Sequence, residues 1–244
     1  MKKKIIIYGG SSYLSREIIR ILSKKNYYFI IFCRNKNDVL KYLDEVKIIS
    51  THYEIWEVDL LDLNKNIEII NKFNEDIHGL IWIAGKTGDP KKEFENIDIC
   101  IDNLKINYVN PIVIINKIIT KFNSDINQKR FITVLTSVAG LRGRAERLFY
   151  SSAKAGLISY LSGLRQKLNQ QNIKVITVIP GYMKTKPFNI KSFNFLISSP
   201  KKSAEIICGA INTNKDIVYV NKIWGVIMLL VNLIPEKIFK KMKF

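Results

Sequence analysis

Ser137 follows a short apolar run, FITVLT, and Tyr150 stands thirteen residues further on, with Lys154 four residues beyond it. On a helix, i,i+4 spacing puts a phenol and an ammonium on one face with Cβ atoms about 5–6 Å apart. A phenol with a pKa of about 10 exchanges protons poorly at neutral pH, and an adjacent ammonium favours the phenolate and draws that pKa toward the working range. Ser137, on a turn above a sheet, can donate a hydrogen bond to a carbonyl oxygen held beside the phenol. Together the three groups suit proton delivery to a ketone. Taken singly, Tyr150 also reads as a helix-surface aromatic and Lys154 as a solvated charge.

Such a trio needs a scaffold that brings a loop and a helix together. Runs rich in Ile, Val, Phe and Tyr alternate with longer segments of helical spacing, the pattern of βαβ units and a parallel sheet. Strands are expected at 4–8, 28–33, 54–58, 79–84, 131–136, 173–179 and 217–220, with helices at 12–24, 36–45, 62–75, 94–122, 147–170 and 201–213. Continuously apolar strands need helices on both faces, so one doubly wound α/β domain over 1–222 is expected. Ligands of such sheets sit at the carboxyl ends of the strands. After the first strand come Gly9, Gly10, Ser11, Ser12, Tyr13, Leu14 and Ser15. That turn either aims N–H groups at a phosphate or is an ordinary strand-to-helix connection.

Composition narrows the classes. At 244 residues, 47% hydrophobic and 11% aromatic, with 12 glycines and 6 prolines, the chain should fold and is not of low complexity. Thirty-nine basic residues against 21 acidic give a net charge of +18, but the lysines are scattered and no binding motif accompanies them, so nucleic acid is not expected as a partner. Cys33, Cys100 and Cys208 are odd in number and far apart, which argues against a disulfide framework and for a reducing cytoplasm. His52 and His78 lack Cys or carboxylate neighbours at ligand spacing, so no metal site is expected. The apolar run in MKKKIIIYGG is four residues long, too short for a signal-peptide core.

Ser137, Tyr150-x-x-x-Lys154, Asn107 in KINYVNP, Asp59 after the third strand, Ala84-Gly85 after the fourth and Pro180-Gly181-x-x-x-Thr185 after the sixth together resemble the short-chain dehydrogenase/reductase family, through about residue 220. The resemblance implies a Rossmann-type fold with a seven-stranded parallel sheet and an oxidoreductase acting on CH-OH/C=O. It implies that Tyr150 donates the proton, Lys154 holds the nicotinamide ribose and lowers the tyrosine pKa, Ser137 orients the carbonyl and Asn107 supports a water relay. It also implies cofactor contacts for Gly9, Ser11, Ser12, Tyr13, Leu14, Leu60, Ala84, Gly85, Pro180 and Gly181, with Thr185 at the carboxamide. Asp59 is implied at the adenine edge, and reads equally as a helix N-cap ahead of Leu60-Leu61.

The chain departs from the family at two places. Tyr13 and Ser15 occupy the second and third positions of the glycine-rich turn, and Trp82-Ile83 replaces the usual Asn-Asn before Ala84-Gly85. Serine is small enough for helix–strand packing and Ser11 and Ser12 can donate to phosphate, so altered contacts are expected, not lost binding. The second strand ends Phe32-Cys33-Arg34-Asn35, with no carboxylate before Asp38. Arg34 suits a ribose 2′-phosphate, so NADPH is expected over NADH; the alternative is a solvated arginine.

GGSSYLS, TSVAGLRGRAERLFYSSAKAG, PGYMKTKP and VYVNKIWGVIMLLVNLIPEKIFKK are similar to the decaprenylphosphoryl-2-keto-ribose reductase branch of that family. The likeness implies a keto-sugar carried on a polyprenyl phosphate as substrate, in polysaccharide biosynthesis, and a flavin-dependent oxidase as partner. Arg142, Arg144 and Arg147 lie between Ser137 and Tyr150, and either bind a phosphodiester or form a solvated loop. Phe188 belongs to an apolar loop, 187–197, that reads as a substrate lid, a membrane-facing flap or a segment buried on the core. The tail, 223–244, opens with an apolar run of about twelve positions, short of the ~20 needed to span a bilayer. From Lys222 onward it carries five lysines against one glutamate. It lies in the interface of an anionic membrane, or completes the core or a dimer interface. The expectation is an NADPH-dependent ketoreductase, homo-oligomeric, cytoplasmic and peripheral on the inner face of the cell membrane. The alternatives are a soluble reductase of acyl or small-molecule ketones and a non-catalytic nucleotide-binding scaffold.

Overall fold

A computed structural model describes residues 2–73, 77–122, 125, 127–184 and 194–242. In chain order the main sheet takes β1 (Lys3–Tyr8), β2 (Tyr27–Cys33), β3 (Tyr53–Glu57), β4 (Ile77–Trp82), β5 (Arg130–Leu135) and β6 (Ile173–Ile179). Two short strands, β7 (Tyr182–Met183) and β8 (Ile197–Ser198), pair only with each other, and β9 (Ile217–Tyr219) completes the main sheet. The spatial order is β3-β2-β1-β4-β5-β6-β9, every pair parallel. The chain therefore winds outward in both directions from β1 and β4, and the crevice at that reversal is where such a sheet binds its ligand. All seven expected strands are present, each within two residues of its expected bounds.

Side chains alternate along each strand, so the continuously apolar β1 and β2 feed two cores. Ile5, Ile7, Phe29 and Ile31 pack against Leu14, Ile18 and Leu22 of α1 (Tyr13–Leu22) and Val39 and Leu43 of α2 (Lys36–Glu45). Ile6, Ile30 and Phe32 meet Ile69 and Ile70 of α3 (Leu63–Asn71) on the other face. Full burial of an isoleucine contributes about 1.5–3 kcal/mol, which is why neither face tolerates polar alternation.

The segment expected as one helix over 94–122 is instead α4 (Pro90–Glu95), α5 (Ile97–Leu104), a π turn at Lys105–Val109, and α6 (Asn110–Ile119). Asn96 makes the first break: its backbone is extended, and its side chain accepts from the N–H groups of Asp98 and Ile99 as the N-cap of α5. The remaining helices are α7 (Leu148–Leu168), α8 (Pro200–Ile211), α9 (Ile223–Leu233) and α10 (Glu236–Phe239). Leu157 and Leu161 of α7 join the second core, and Ala204 and Ile207 of α8 join the first. Trp224 and Met228 of α9 form a third, smaller cluster with Val138 and Ile179.

Candidate active site

A cavity of about 310 Å³ opens at the carboxyl ends of β1, β2, β3 and β4, and Gly9, Ser12, Arg34, Asp59, Leu60 and Ala84 are among its walls. Gly9 has φ +93, and a Cβ there would come within 2.7 Å of the Ala84 nitrogen. A Cβ on Gly10 would strike Ile31 Cγ2 at 2.3 Å. The N–H groups of Gly9 and Gly10 both donate to the Phe32 carbonyl, at 3.1 and 2.9 Å, so the turn hugs β2 and β4 before α1 begins.

Ser12 is the N-cap of α1, its Oγ accepting from the Ser15 N–H at 3.0 Å. Ser15, fully buried in the third glycine position, donates from its hydroxyl to the Gly9 carbonyl at 2.7 Å and so clamps the turn to the helix. The Ser12 hydroxyl donates to Ser15 Oγ at 3.0 Å. Ser11 donates at 3.4 Å to the Asn35 carbonyl. The side chain of Tyr13 stands out in solvent and that of Leu14 is buried, so both can offer a ligand their first-turn N–H groups, which have no intrahelical acceptor and lie at the positive end of the helix dipole.

Beneath this cavity Tyr8 is stacked between Phe32 and Trp82, with centroids 4.3 and 4.4 Å apart. Its hydroxyl donates to Asn66 Oδ1 at 3.1 Å, while the Asn66 amide donates to the carbonyls of Asp59 and Asp62. Trp82 Nε1 donates to the Ala84 carbonyl, and the Asn110 amide to the Leu60 carbonyl. Asn66, Trp82 and Asn110 thus fix the loops after β3 and β4. The sequence reading gave none of them this duty; the partners of the two asparagines lie in other segments: Asn66 reaches back to Asp59, and Asn110 to Leu60, fifty positions away. Asp59 lines the cavity and accepts from the Leu61 N–H at 2.9 Å, but the N-cap of α3 is Asp62. Arg34 is exposed at the end of β2, where the Glu57 carboxylate accepts from the nearby Lys36 N–H.

The catalytic candidates come together over α7. A Cβ on Gly140 would lie 2.7 Å from the Lys154 carbonyl carbon, so the turn after β5 sits directly on the backbone of α7. That contact brings Ser137, whose Oγ accepts from the Ala139 N–H at 3.1 Å, to the Tyr150 phenol. Lys154 is buried, its Nζ 3.4 Å from the Leu135 carbonyl it donates to and 5.7 Å from the Tyr150 ring centroid. Burial lowers its pKa to about 8. Burial also pushes the Tyr150 phenol above its ordinary value, opposed by the hydrogen bond from Ser137 and by the charge of Arg147. The expected downward shift is therefore not what this site shows: desolvation outweighs the cations around the ring.

Asn107 is fully buried on the π turn. Its amide donates to the Lys86 carbonyl at 2.7 Å and to Asn103 Oδ1 at 2.8 Å, and its Oδ1 accepts from the Lys86 N–H at 3.1 Å. Asn103 donates in turn to the buried Glu93 carboxylate. Gly85 passes between these groups: a Cβ there would be 3.0 Å from Asn107 Oδ1 and 3.3 Å from Lys154 Nζ. Gly85, in the cavity wall, thus adjoins Asn107 and Lys154, and Lys154 in turn lies beside the Tyr150 ring.

Other expected site residues are placed elsewhere. Arg142 makes an ion pair with Glu236 at 2.7 Å, donates to the carbonyls of Asn232 and Ile234, and stacks on Phe239 with its guanidinium carbon 4.2 Å from the ring centroid. It holds the tail, and its donors are not free for substrate. Gly181, expected at the cofactor, is a glycine because Trp224 covers it: a Cβ would lie 1.9 Å from the indole nitrogen. The Pro180 carbonyl accepts from the Val138 N–H at 3.0 Å. Arg147 donates at 3.4 Å to the Gly88 carbonyl, and Arg144 is half-buried on the same loop. Thr185 and Phe188 lie outside the described residues.

The family model described as short chain dehydrogenase matches residues 3–192. Over 187 residues the chain is 30% identical to a 3-oxoacyl-acyl-carrier-protein reductase of Rickettsia conorii, covering 75% of this chain and 73% of that protein. An uncharacterized oxidoreductase of Mycobacterium tuberculosis is 22% identical over 98% of this chain and 96% of its own. A short chain dehydrogenase from Burkholderia cenocepacia, crystallised in complex with NADP, has the same fold, with a TM-score of 0.79 over 100% of this chain and 98% of that one at 14% identity. The family match runs through both halves of the sheet and the helix that carries Tyr150 and Lys154, and the chain belongs to the short chain dehydrogenase family of oxidoreductases.

Proposed function

We propose that the protein is an NADPH-dependent ketoreductase whose substrate is a keto-sugar carried on a polyprenyl phosphate. The observation that carries the reading is the half-buried Tyr150 phenol beside Ser137, with the buried Lys154 ammonium on the same helix face. A phenol is protonated at neutral pH and can give that proton to a carbonyl oxygen held beside it. Ser137 orients that oxygen from the other side. Lys154 and Asn107 hold the ribose end of the cofactor and the water that restores the proton.

The chain fits a dinucleotide. Gly9 lets the backbone approach, the first-turn N–H groups of Tyr13 and Leu14 face the pyrophosphate, and Asp59 and Leu60 border the adenine. Arg34 pairs with the ribose 2′-phosphate, which favours NADPH; the NADP in the Burkholderia cenocepacia structure supports the same choice. When bound, the nicotinamide supplies the hydride.

The substrate assignment rests on the similarity of the runs around Ser137, Tyr150 and the tail to the keto-sugar reductase branch, and on Arg147, whose charge acts on the phenol. A flavin-dependent oxidase then supplies the ketone, and the protein works at the inner face of the cell membrane. The second reading, a reductase of 3-oxoacyl thioesters, is favoured by the Rickettsia conorii relative. A scaffold without chemistry has no use for a buried ammonium, whose desolvation is a standing cost. Purified protein given NADPH should reduce a polyprenyl-phosphate 2-keto-sugar at a higher kcat/KM than a 3-oxoacyl thioester, and should bind NADPH more tightly than NADH. The opposite substrate order would establish the second reading.

A further inference from the structure

α9 has two apolar faces. Trp224 and Met228 are buried against Val138 and Ile179, so its inner face packs beside the residue that follows Ser137. On its outer side Val226, Leu229, Leu230 and Leu233 are 60%, 63%, 61% and 71% exposed, and Ile238 of α10 is 56% exposed. Spacings of three, four and seven residues put these α9 side chains on one stripe of the helix. Around the stripe Lys222, Lys237, Lys240 and Lys241 are all exposed. The one carboxylate after Asp216, that of Glu236, is tied to Arg142.

We propose that this outer face docks the protein on an anionic bilayer, lying in its surface with the active-site mouth beside the lipid headgroups. An eleven-residue helix is about 16 Å long and cannot cross, and among the described residues no helix is long and apolar enough to do so. An apolar stripe rimmed by lysines is the form of an interfacial helix. A second copy of the chain is the competing occupant, but a two-fold interface sets the same patch against itself, and the lysine rim would then face another lysine rim. Anionic lipid answers that charge instead, at the membrane's negative surface potential. Arg142 makes the arrangement rigid, since it fixes the end of α9 and α10 to the loop that carries Ser137.

The docking rests on the lipid-linked substrate reading for its purpose, but not for its test. Full-length protein is floated with vesicles of phosphatidylcholine and phosphatidylglycerol in equal parts, and with phosphatidylcholine alone. Binding should be confined largely to the anionic vesicles and weaken with salt, and the double variant Leu229→Glu/Leu230→Glu should lose about tenfold or more of it. NADPH affinity of that variant should be unchanged, which shows that the fold is intact. No flotation of the wild type, or a wild-type dimer that the variant dissociates without any vesicle binding, would overturn the docking. Anionic-vesicle binding by a protein that turns over only soluble ketones would leave the docking standing and remove the substrate assignment.

Discussion

Lys154 is the residue whose state most directly controls this site. Its ammonium is buried, and its pKa falls from 10.5 to about 8. A shift of that size corresponds to a folding cost of about 3 kcal/mol for the charged form. The cost is present in full below about pH 8, where folded and unfolded chains are both protonated. It is relieved as pH rises from about 8 to about 10.5, because there the unfolded state holds more protons and stability climbs. Activity runs the other way. The Tyr150 phenol is shifted up, so the first group to lose its proton on raising the pH is the Lys154 ammonium, proposed to hold the cofactor ribose. The kcat/KM for reduction should therefore fall with an apparent pKa of about 8, and Lys154→Arg should move that limb upward. A rate that stays level to about pH 10 would show that Lys154 keeps its charge.

The turn between β1 and α1 shows how an eroded motif keeps its shape. Two of the family's glycines are gone, yet Ser15 replaces one with a hydroxyl bonded to the Gly9 carbonyl, and Tyr13 turns outward. The retained Gly9 is different: its φ of +93 and the nearby Ala84 nitrogen leave no room for a Cβ. Gly9→Ala should destabilise the protein by about 1–3 kcal/mol in denaturant unfolding and weaken NADPH binding as well. An unchanged unfolding midpoint would mean that the turn relaxes at no cost. The seven strands were legible because continuous apolar runs have few other uses in a chain of this length. The break inside 94–122 was not, because Asn96 looks like any polar helix residue until its side chain is seen to cap α5. The tie of Arg142 to Glu236 and the cover of Trp224 over Gly181 were not legible, because these partners lie 94 and 43 positions away in sequence. The Ser137, Tyr150 and Lys154 cluster was legible from spacing alone. The direction of the Tyr150 shift was not, because burial does not show in spacing.

Across the molecule, the cofactor cavity, the catalytic cluster and the tail helix share the carboxyl end of the sheet. A larger open depression of about 1250 Å³ lies at the opposite end, by Lys3, His78, Arg130 and Asn172, and holds none of the candidate catalytic residues. One end therefore gathers the candidate site, and the proposed docking through the outer face of α9 would bring that end to lipid. The whole arrangement has a purpose only if Tyr150 gives the proton. Steady-state reduction by Tyr150→Phe is the direct test, made with NADPH as the reductant and the variant's NADPH dissociation constant measured alongside. A proton donor predicts kcat/KM about 10²–10⁴-fold lower with cofactor affinity unchanged. A variant that reduces its ketone at the wild-type rate would contradict it.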